Sequence, residues 1–149
     1  MGYQHIFLRA SFAHVCGDSI IAAIAGLALY ASFPPVGWWW LSVPAFALFV
    51  SRIDEARAPR ALTVTFVFGM SFWVPLIDWI PLAVGTTPPW FVLALVQTFF
   101  FMGWVVFARW TQLWRWARGP LVQAFLFALT WAGVDAARSR WPWSGFPWG

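Results

Sequence analysis

The chain contains no lysine and only five acidic residues, and charged side chains make up 9% of its 149 residues. An ordinary soluble domain carries about 25% charged residues. A soluble globule of this composition would have too few polar side chains to cover its surface, whereas lipid tolerates an apolar exterior. The scarcity of charge therefore argues against a soluble architecture.

The basic balance does not indicate nucleic-acid binding. The net charge of +4 comes from nine arginines, which lie in the joints between apolar runs and form no stripe with interleaved aromatic residues. A nucleic-acid footprint requires such a clustered basic face. We therefore expect no nucleic acid among the partners.

The single cysteine, Cys16, excludes an internal disulfide. As a nucleophile it would need a base within hydrogen-bond reach, and the nearby His14 points elsewhere on a helix. His5 and His14 have no cysteine or carboxylate at metal-ligand spacing. We expect Cys16 to be a bystander thiol, and the chain to hold no metal and no cofactor.

Apolar residues, in contrast, make up 62% of the chain, including 14 Trp and 16 Phe. They form five strongly apolar stretches separated by short polar joints, and a spanning helix needs about 20 mostly apolar residues. This pattern predicts an all-α membrane protein with about five transmembrane helices, as one domain over residues 1–149 without a soluble domain. The predicted helices lie near residues 19–33, 38–50, 61–80, 90–108 and 120–137.

The first two apolar stretches allow other interpretations. Both stretches are short for a membrane span, so a tilted or partly re-entrant hairpin is a second interpretation of residues 19–50. The first stretch also has the length of a cleaved signal peptide, with Arg9 as its basic region. No small-x-small cleavage site precedes Phe33, which disfavours cleavage.

The arginines predict an orientation, because cytoplasmic loops carry an excess of basic residues. An inside N-terminus places seven arginines in inside segments and two in outside segments. The inside set is Arg9, Arg52, Arg57, Arg60, Arg109, Arg115 and Arg118, and the outside set is Arg138 and Arg140. We therefore expect the N-terminus inside and the C-terminus outside.

Ionisable residues near membrane depth are candidates for function. Asp135 and Arg138 are three residues apart at the outer end of the last predicted helix and share a helical face. The pair either completes the helix at the headgroups, or anchors the segment from Ser144 to Gly149 or meets a lipid phosphate. Asp78 is interpreted as a helix-end carboxylate at the water boundary.

Two weaker patterns concern helix packing. Gln97, within the fourth predicted helix, is expected to act as ordinary interhelical glue. Ala22 and Gly26 form a small-x-x-x-small pair that hints at close helix contact. Neither pattern amounts to an active site.

Four landmarks resemble the N-terminal membrane part of the bacterial apolipoprotein N-acyltransferases. The segment 33–38 (FPPVGW) resembles the family's first outer turn, and residues 69–79 with Gly85 and Pro88 resemble its third helix and following loop. Trp131, Asp135 and Arg138 resemble its Trp-x-x-x-Glu-x-x-Arg run, with Asp in place of Glu. Gly145, Phe146, Pro147 and Trp148 resemble its Gly-Phe-Pro-Trp motif, which is the most specific of the four.

The resemblance implies a multi-pass protein of the bacterial cytoplasmic membrane whose partners are membrane lipids, a phospholipid acyl donor and a diacylated lipoprotein. Family chemistry uses a Glu, Lys and Cys set in a nitrilase-like domain, and this chain offers no Lys, only Glu55 and only Cys16. We therefore expect a truncated or split fragment that is inactive alone. The candidate residues facing lipid or the catalytic domain are Trp79, Asp135, Arg138, Gly145, Phe146, Pro147 and Trp148.

Two other classes of function stay open at this point. A non-catalytic membrane anchor would recruit a separate enzyme such as a polyprenol-phosphate mannose synthase. A small channel or transporter would use Asp78 and Asp135, but the chain shows no inverted repeat of the kind found in many transporters.

Overall fold

A computed structural model of the chain describes residues 2–112 and 119–140, with only the backbone described for residues 2–14 and 55. The described part is helical and contains no strand, which confirms the all-α prediction. Its elements are α1 (Gly2–Ala31), a 3₁₀ turn (Trp39–Leu41), α2 (Ser42–Glu55), α3 (Ala58–Leu76), α4 (Ile80–Val84), α5 (Pro88–Thr111) and α6 (Pro120–Arg138).

Proline and glycine account for most helix boundaries. Helices α3 to α6 each have proline at the first or second position. Proline is tolerated there because the N–H groups of the first turn make no hydrogen bond within the helix. Gly85 ends α4 with φ 78°, a left-handed conformation that glycine adopts without steric cost. Pro75, near the end of α3, cannot donate to the preceding turn. The apolar stretch 61–80 is therefore divided, with α3 ending at Leu76 and α4 beginning at Ile80.

Helices α1, α3 and α5 pack side by side, with α3 in the middle. A Cβ atom at Gly26 would lie 2.4 Å from the backbone oxygen of Phe68, and one at Gly69 would lie 2.8 Å from the Thr98 Cγ2 atom. The two glycines therefore allow α1 and α5 to approach α3 more closely than a larger side chain would permit. We call these three helices the close-packed half.

Helices α2 and α6 flank this half and contact the core through aromatic rings. The rings of Phe49 and Phe68 stack with centroids 4.0 Å apart. Phe46 of α2 meets Trp131 of α6 edge-on at 5.2 Å, and Trp131 lies 4.9 Å from Trp104. We call α2 and α6 the flanking half.

One end of the bundle carries a cluster of charged residues around Asp18. The buried Asp18 carboxylate pairs with Arg60, and Arg52 lies 3.9 Å from its other oxygen. Arg109 donates hydrogen bonds to the carbonyl oxygens of Ile53 and Ala56, at 2.7 and 2.9 Å. Three arginines that sequence assigned to one side of a membrane thus converge at this end, which we call the Asp18 end. The opposite end, where α6 finishes, is called the Asp135 end.

Two of the described helices, Pro88–Thr111 and Pro120–Arg138, are long and apolar enough to cross a membrane, and the part of α1 with described side chains, Val15–Ala31, is a shorter apolar segment. Helix α2 has 14 residues, or about 21 Å at 1.5 Å per residue, which is shorter than the roughly 30 Å of a hydrocarbon core. The expected number of five spans and their orientation stay predictions.

Candidate lipid-facing groove

An open groove lies between α2 and α6. Its volume is about 860 Å³. It follows α2 from Ser42 at the Asp135 end to Asp54 at the other, and Phe72, Trp73 and Phe101 contribute to its wall from the close-packed half. Most lining side chains are apolar, so the groove suits a long hydrocarbon better than a polar solute.

An ion pair lies on the groove wall at the Asp135 end. The Nη2 atom of Arg138 lies 2.5 Å from the Oδ1 atom of Asp135, and its Nε atom donates to the same oxygen at 3.2 Å. The Arg138 side chain is only 5% exposed, whereas that of Asp135 is 46% exposed. Their spacing on α6 brings the two groups together, as the sequence predicted, but the arginine is the buried partner.

The Arg138 guanidinium also lies over the ring of Trp73, with its Cζ atom 5.3 Å from the ring centroid. This distance is within the range of a cation–π interaction. The contact joins the end of α6 to α3 across the groove. It explains how a guanidinium can be buried beside a half-exposed carboxylate, because the ring face adds a second electrostatic partner.

Trp73 is the groove residue that sequence reasoning missed. It is 1% exposed, and its indole Nε1–H has no hydrogen-bond partner within the described part of the chain. Two other described tryptophans are satisfied: Trp90 Nε1 donates to the Val74 carbonyl at 2.9 Å, and Trp104 Nε1 donates to Thr130 Oγ1 at 3.2 Å. Among 14 tryptophans, no sequence signal distinguishes Trp73.

Of the remaining candidates, only Trp79 lies within the described residues. Trp79 lies in the turn between α3 and α4, is 38% exposed, and is not among the described residues that line the groove. The candidates Gly145, Phe146, Pro147 and Trp148 lie outside the described residues. Asp78 is exposed beside Trp79.

Two other polar side chains considered in the sequence, Gln97 and Cys16, lie outside the groove wall. Gln97 is 2% exposed, and its Oε1 atom accepts no hydrogen bond from the described residues. An interhelical bond through that oxygen, as expected of interhelical glue, is therefore missing. Cys16 is an exposed free thiol.

A second, smaller cavity of about 300 Å³ lies toward the Asp18 end. Its wall includes Ile53 and Asp54 of α2, Arg109 of α5 and Gln123 of α6. Both cavities have residues of α2 and α6 in their walls, and the larger one combines an apolar wall with polar groups concentrated at its ends.

The described helices thus form an all-α bundle with a long apolar groove and a buried guanidinium at one end. The family model of the apolipoprotein N-acyltransferase N-terminal domain matches residues 25–149. The chain therefore belongs to the apolipoprotein N-acyltransferase family, which confirms the resemblance read from the sequence.

A curated relative supports the same assignment. The apolipoprotein N-acyltransferase of Mycolicibacterium smegmatis is 37% identical to the chain over 87 residues, which is 57% of this chain and 14% of that relative. The match thus spans about a seventh of the relative's length. No solved structure gives a significant match.

Proposed function

We propose that the chain is the membrane segment of an enzyme that transfers a fatty acyl chain from a phospholipid to the N-terminal diacylglyceryl-cysteine of lipoproteins. The observation that carries the proposal is the family match over residues 25–149. The groove between α2 and α6 adds a physical reason, since its apolar wall is suited to an acyl chain.

The membrane location is supported by the outward faces of the helices. On α6, Leu121, Phe125 and Leu129 are 84%, 66% and 55% exposed, and their spacing of four residues puts them on one face. Ile20, Ile24 and Leu27 form a similar exposed stripe on α1. Apolar patches of this extent are unfavourable in water and favourable against lipid.

We infer five membrane crossings by α1, α2, α3, α5 and α6, with the short α2 tilted or supported by its neighbours. The Asp18 end, which gathers Arg52, Arg60 and Arg109, faces the cytoplasm, in accord with the positive-inside tendency. The Asp135 end then faces outward across the bacterial cytoplasmic membrane. A phosphatase that is active only in the periplasm, fused after Arg140, tests this orientation. We expect the fusion to be active, and a finding that the fused reporter lies in the cytoplasm would contradict the orientation.

The proposed reaction has two steps. A cysteine thiolate attacks an ester carbonyl of the phospholipid, which forms a thioester and releases a lysophospholipid whose oxygen takes up a proton. The free α-amine of the diacylglyceryl-cysteine then attacks the thioester, which forms an amide, releases the thiol and loses a proton. Such chemistry needs an activated thiol and an oxyanion donor.

The catalytic set of Glu, Lys and Cys cannot come from these residues, because the chain has no Lys. The proposed contribution of this chain is to admit the lipid sideways into the groove and to present its ester at the Asp135 end. We therefore expect the purified chain to transfer no palmitate from phospholipid to a diacylated lipopeptide. Turnover by the chain alone would contradict this division of labour.

The exposed apolar stripes on α1 and α6 would equally serve a second candidate, a non-catalytic anchor that recruits a separate enzyme such as a polyprenol-phosphate mannose synthase. Affinity purification of the epitope-tagged protein from its native membrane distinguishes the two. Lipopeptide acylation in the purified material supports the acyltransferase, and mannosyl transfer to a polyprenol phosphate supports the anchor.

A further inference from the structure

Two cavities follow one another along the bundle, between the same helices. Phe127 of α6 lines the smaller cavity, and Trp131, one turn later on α6, lines the larger groove. On α5, Phe101 lines the larger groove, and Val105, one turn later, lines the smaller cavity. The smaller cavity therefore continues the path of the groove toward the Asp18 end.

Three side chains lie where the two cavities meet. Val50 of α2 is half-buried and lines both of them. Phe46 lines the groove and Phe127 lines the smaller cavity, and their rings meet edge-on with centroids 6.3 Å apart. Trp104 is fully buried and contacts these two rings, at 5.8 and 4.6 Å between centroids. We call Phe46, Val50 and Phe127 the partition, because they narrow the path from one cavity to the other.

Beyond the partition the path is less suited to hydrocarbon. The smaller cavity has a volume of about 300 Å³, against about 860 Å³ for the groove. Its wall includes charged or amide side chains from three helices, namely Asp54 of α2, Arg109 of α5 and Gln123 of α6. A hydrocarbon tail there would displace water from polar groups without offering them a hydrogen bond. The path that favours hydrocarbon therefore ends near the partition.

We propose that the partition sets the length of the acyl chain that the groove accepts, and that the terminal methyl group of the chain rests against Val50. The inference rests on the proposed function, which takes a phospholipid acyl chain as the occupant. Along α2, the wall extends about 12 Å from Ser42 to Val50 and about 18 Å from Ser42 to Asp54, at 1.5 Å per residue. One leaflet contributes half of the roughly 30 Å hydrocarbon core. An acyl chain of ordinary membrane length therefore fits between the Asp135 end and the partition.

The groove is open to an acyl chain from the side. Val43 lines the groove near the Asp135 end and is 73% exposed. Ala47, one turn further along α2, is also an exposed part of the wall. A chain whose headgroup stays at the Asp135 end can therefore enter sideways, and the partition is then the feature that limits its length.

The test compares lipids that differ only in the length of one acyl chain. The 149-residue chain in detergent is titrated with lauroyl-, palmitoyl- and arachidoyl-lysophosphatidylglycerol, and the bound fraction is measured by native mass spectrometry. The measured quantity is the ratio of affinities for two chain lengths, compared between variants. The preference of each lipid for detergent micelles cancels in this comparison.

Two substitutions of Val50 should shift the length preference in opposite directions. Val50→Ala widens the partition, so we expect the affinity for the arachidoyl lipid relative to the palmitoyl lipid to rise about fivefold. Val50→Phe fills the end of the groove. We expect it to lower the affinity for the palmitoyl lipid relative to the lauroyl lipid about tenfold, the effect of an overpacking cost of about 1.4 kcal/mol. If the larger side chain prevents folding, as circular dichroism would show, Val50→Ala decides by itself.

The matched control is Val43→Ala, the same substitution two turns earlier on the same helix and on the wall of the same groove. It should change the affinity for all three lipids by a similar factor and leave the ratios unchanged. A palmitoyl lipid with a diazirine at its terminal carbon adds a readout of position. We expect photolabelling near Val50 in the native chain, and labelling of the smaller cavity, near Ala124, in Val50→Ala.

Any of four results would overturn the proposal. These are unchanged affinity ratios in the folded Val50 variants, an equal shift of the ratios in Val43→Ala, photolabelling of the native chain only near Val43, and no binding of any of the three lipids. If instead the ratios shift as expected and the complete enzyme transfers no acyl chain to a lipopeptide, the proposed function is contradicted and the role of the partition is not.

Discussion

The close-packed half and the flanking half differ in how their helices approach the core. In the close-packed half, glycines at positions 26 and 69 bring the helix backbones together. In the flanking half, aromatic rings mediate the contact, and the large groove remains between α2 and α6. Over an 18-residue apolar window of each helix, 39% of the residues are buried in α5 and 11% in α6.

We infer that the close-packed half contributes most to the stability of the bundle, whereas the flanking half leaves room for a hydrocarbon to enter the groove. Small residues maximise van der Waals contact between helices, which is the main attraction available inside lipid. Large rings at the flanks fill space incompletely and leave a cavity that a hydrocarbon can enter. We expect substitutions in the close-packed half to change stability most, and those around the groove to change lipid binding with smaller effects on stability.

The largest effect is expected from Gly26→Ala. The new Cβ would lie 2.4 Å from the backbone oxygen of Phe68 and 2.9 Å from the Ser71 Cβ, so α1 and α3 must separate. We expect a loss of about 3 kcal/mol, at the upper end of overpacking costs, measured by thermal or denaturant unfolding in detergent followed by circular dichroism.

Gly17→Ala on the same helix is the matched control. A Cβ at Gly17 meets no atom within 4 Å, and alanine has the higher helix propensity. The control should be neutral or stabilising. Equal destabilisation by the two substitutions would contradict the close contact between α1 and α3.

The next largest effect is expected from Asp18→Asn at the Asp18 end. The amide removes the negative partner of Arg60 and Arg52 from a site where the aspartate is 6% exposed. Because the arginines keep partial access to solvent, we expect a loss of about 2 kcal/mol, less than for a fully buried pair. The same unfolding measurement applies, and the exposed Asp78→Asn should change stability little.

A smaller effect is expected from Thr130→Val, which removes the acceptor of the Trp104 N–H. The substitution turns Trp104 into a second buried indole without a partner. We expect a loss of about 1–2 kcal/mol and no change in phospholipid affinity. The exposed Thr63→Val is the control, because its hydroxyl bonds only within its own helix, to Pro59.

The smallest effect on stability is expected from Arg138→Gln. The change removes the ion pair with Asp135 and the contact with the Trp73 ring, but Asp135 is half exposed and can be hydrated afterwards, so we expect a loss of about 1 kcal/mol. The same unfolding measurement applies. Arg140→Gln, at an exposed position on the same helix end, should leave stability unchanged, and an equal loss there would contradict a specific contribution of Arg138.

Local patterns were readable from the sequence. Apolar runs between proline-rich joints predicted helices, and the structure has helical segments in each of the five regions. The three-residue spacing of Asp135 and Arg138 predicted their contact, since side chains at that spacing share a face. The pair Ala22 and Gly26 indicated close packing, and both face α3 or the core.

Other features depended on distant parts of the chain. Asp18 and Arg60 are 42 positions apart, so only the pairing of α1 with α3 brings their charges together. The apolar stretch 61–80 is interrupted near Ile77, where Pro75 is followed by a turn. Mean hydropathy does not reveal this interruption, because the residues on both sides of it are apolar.

Composition and periodicity together established a helical, lipid-compatible chain with its arginines concentrated in particular joints, because these properties follow from each residue and its near neighbours along one helix. Packing between helices decided which tryptophan is buried without a hydrogen-bond partner in the described part of the chain, and which arginine becomes buried beside it. That choice arises from contacts among α3, α5 and α6, where neighbours in space are remote in the chain.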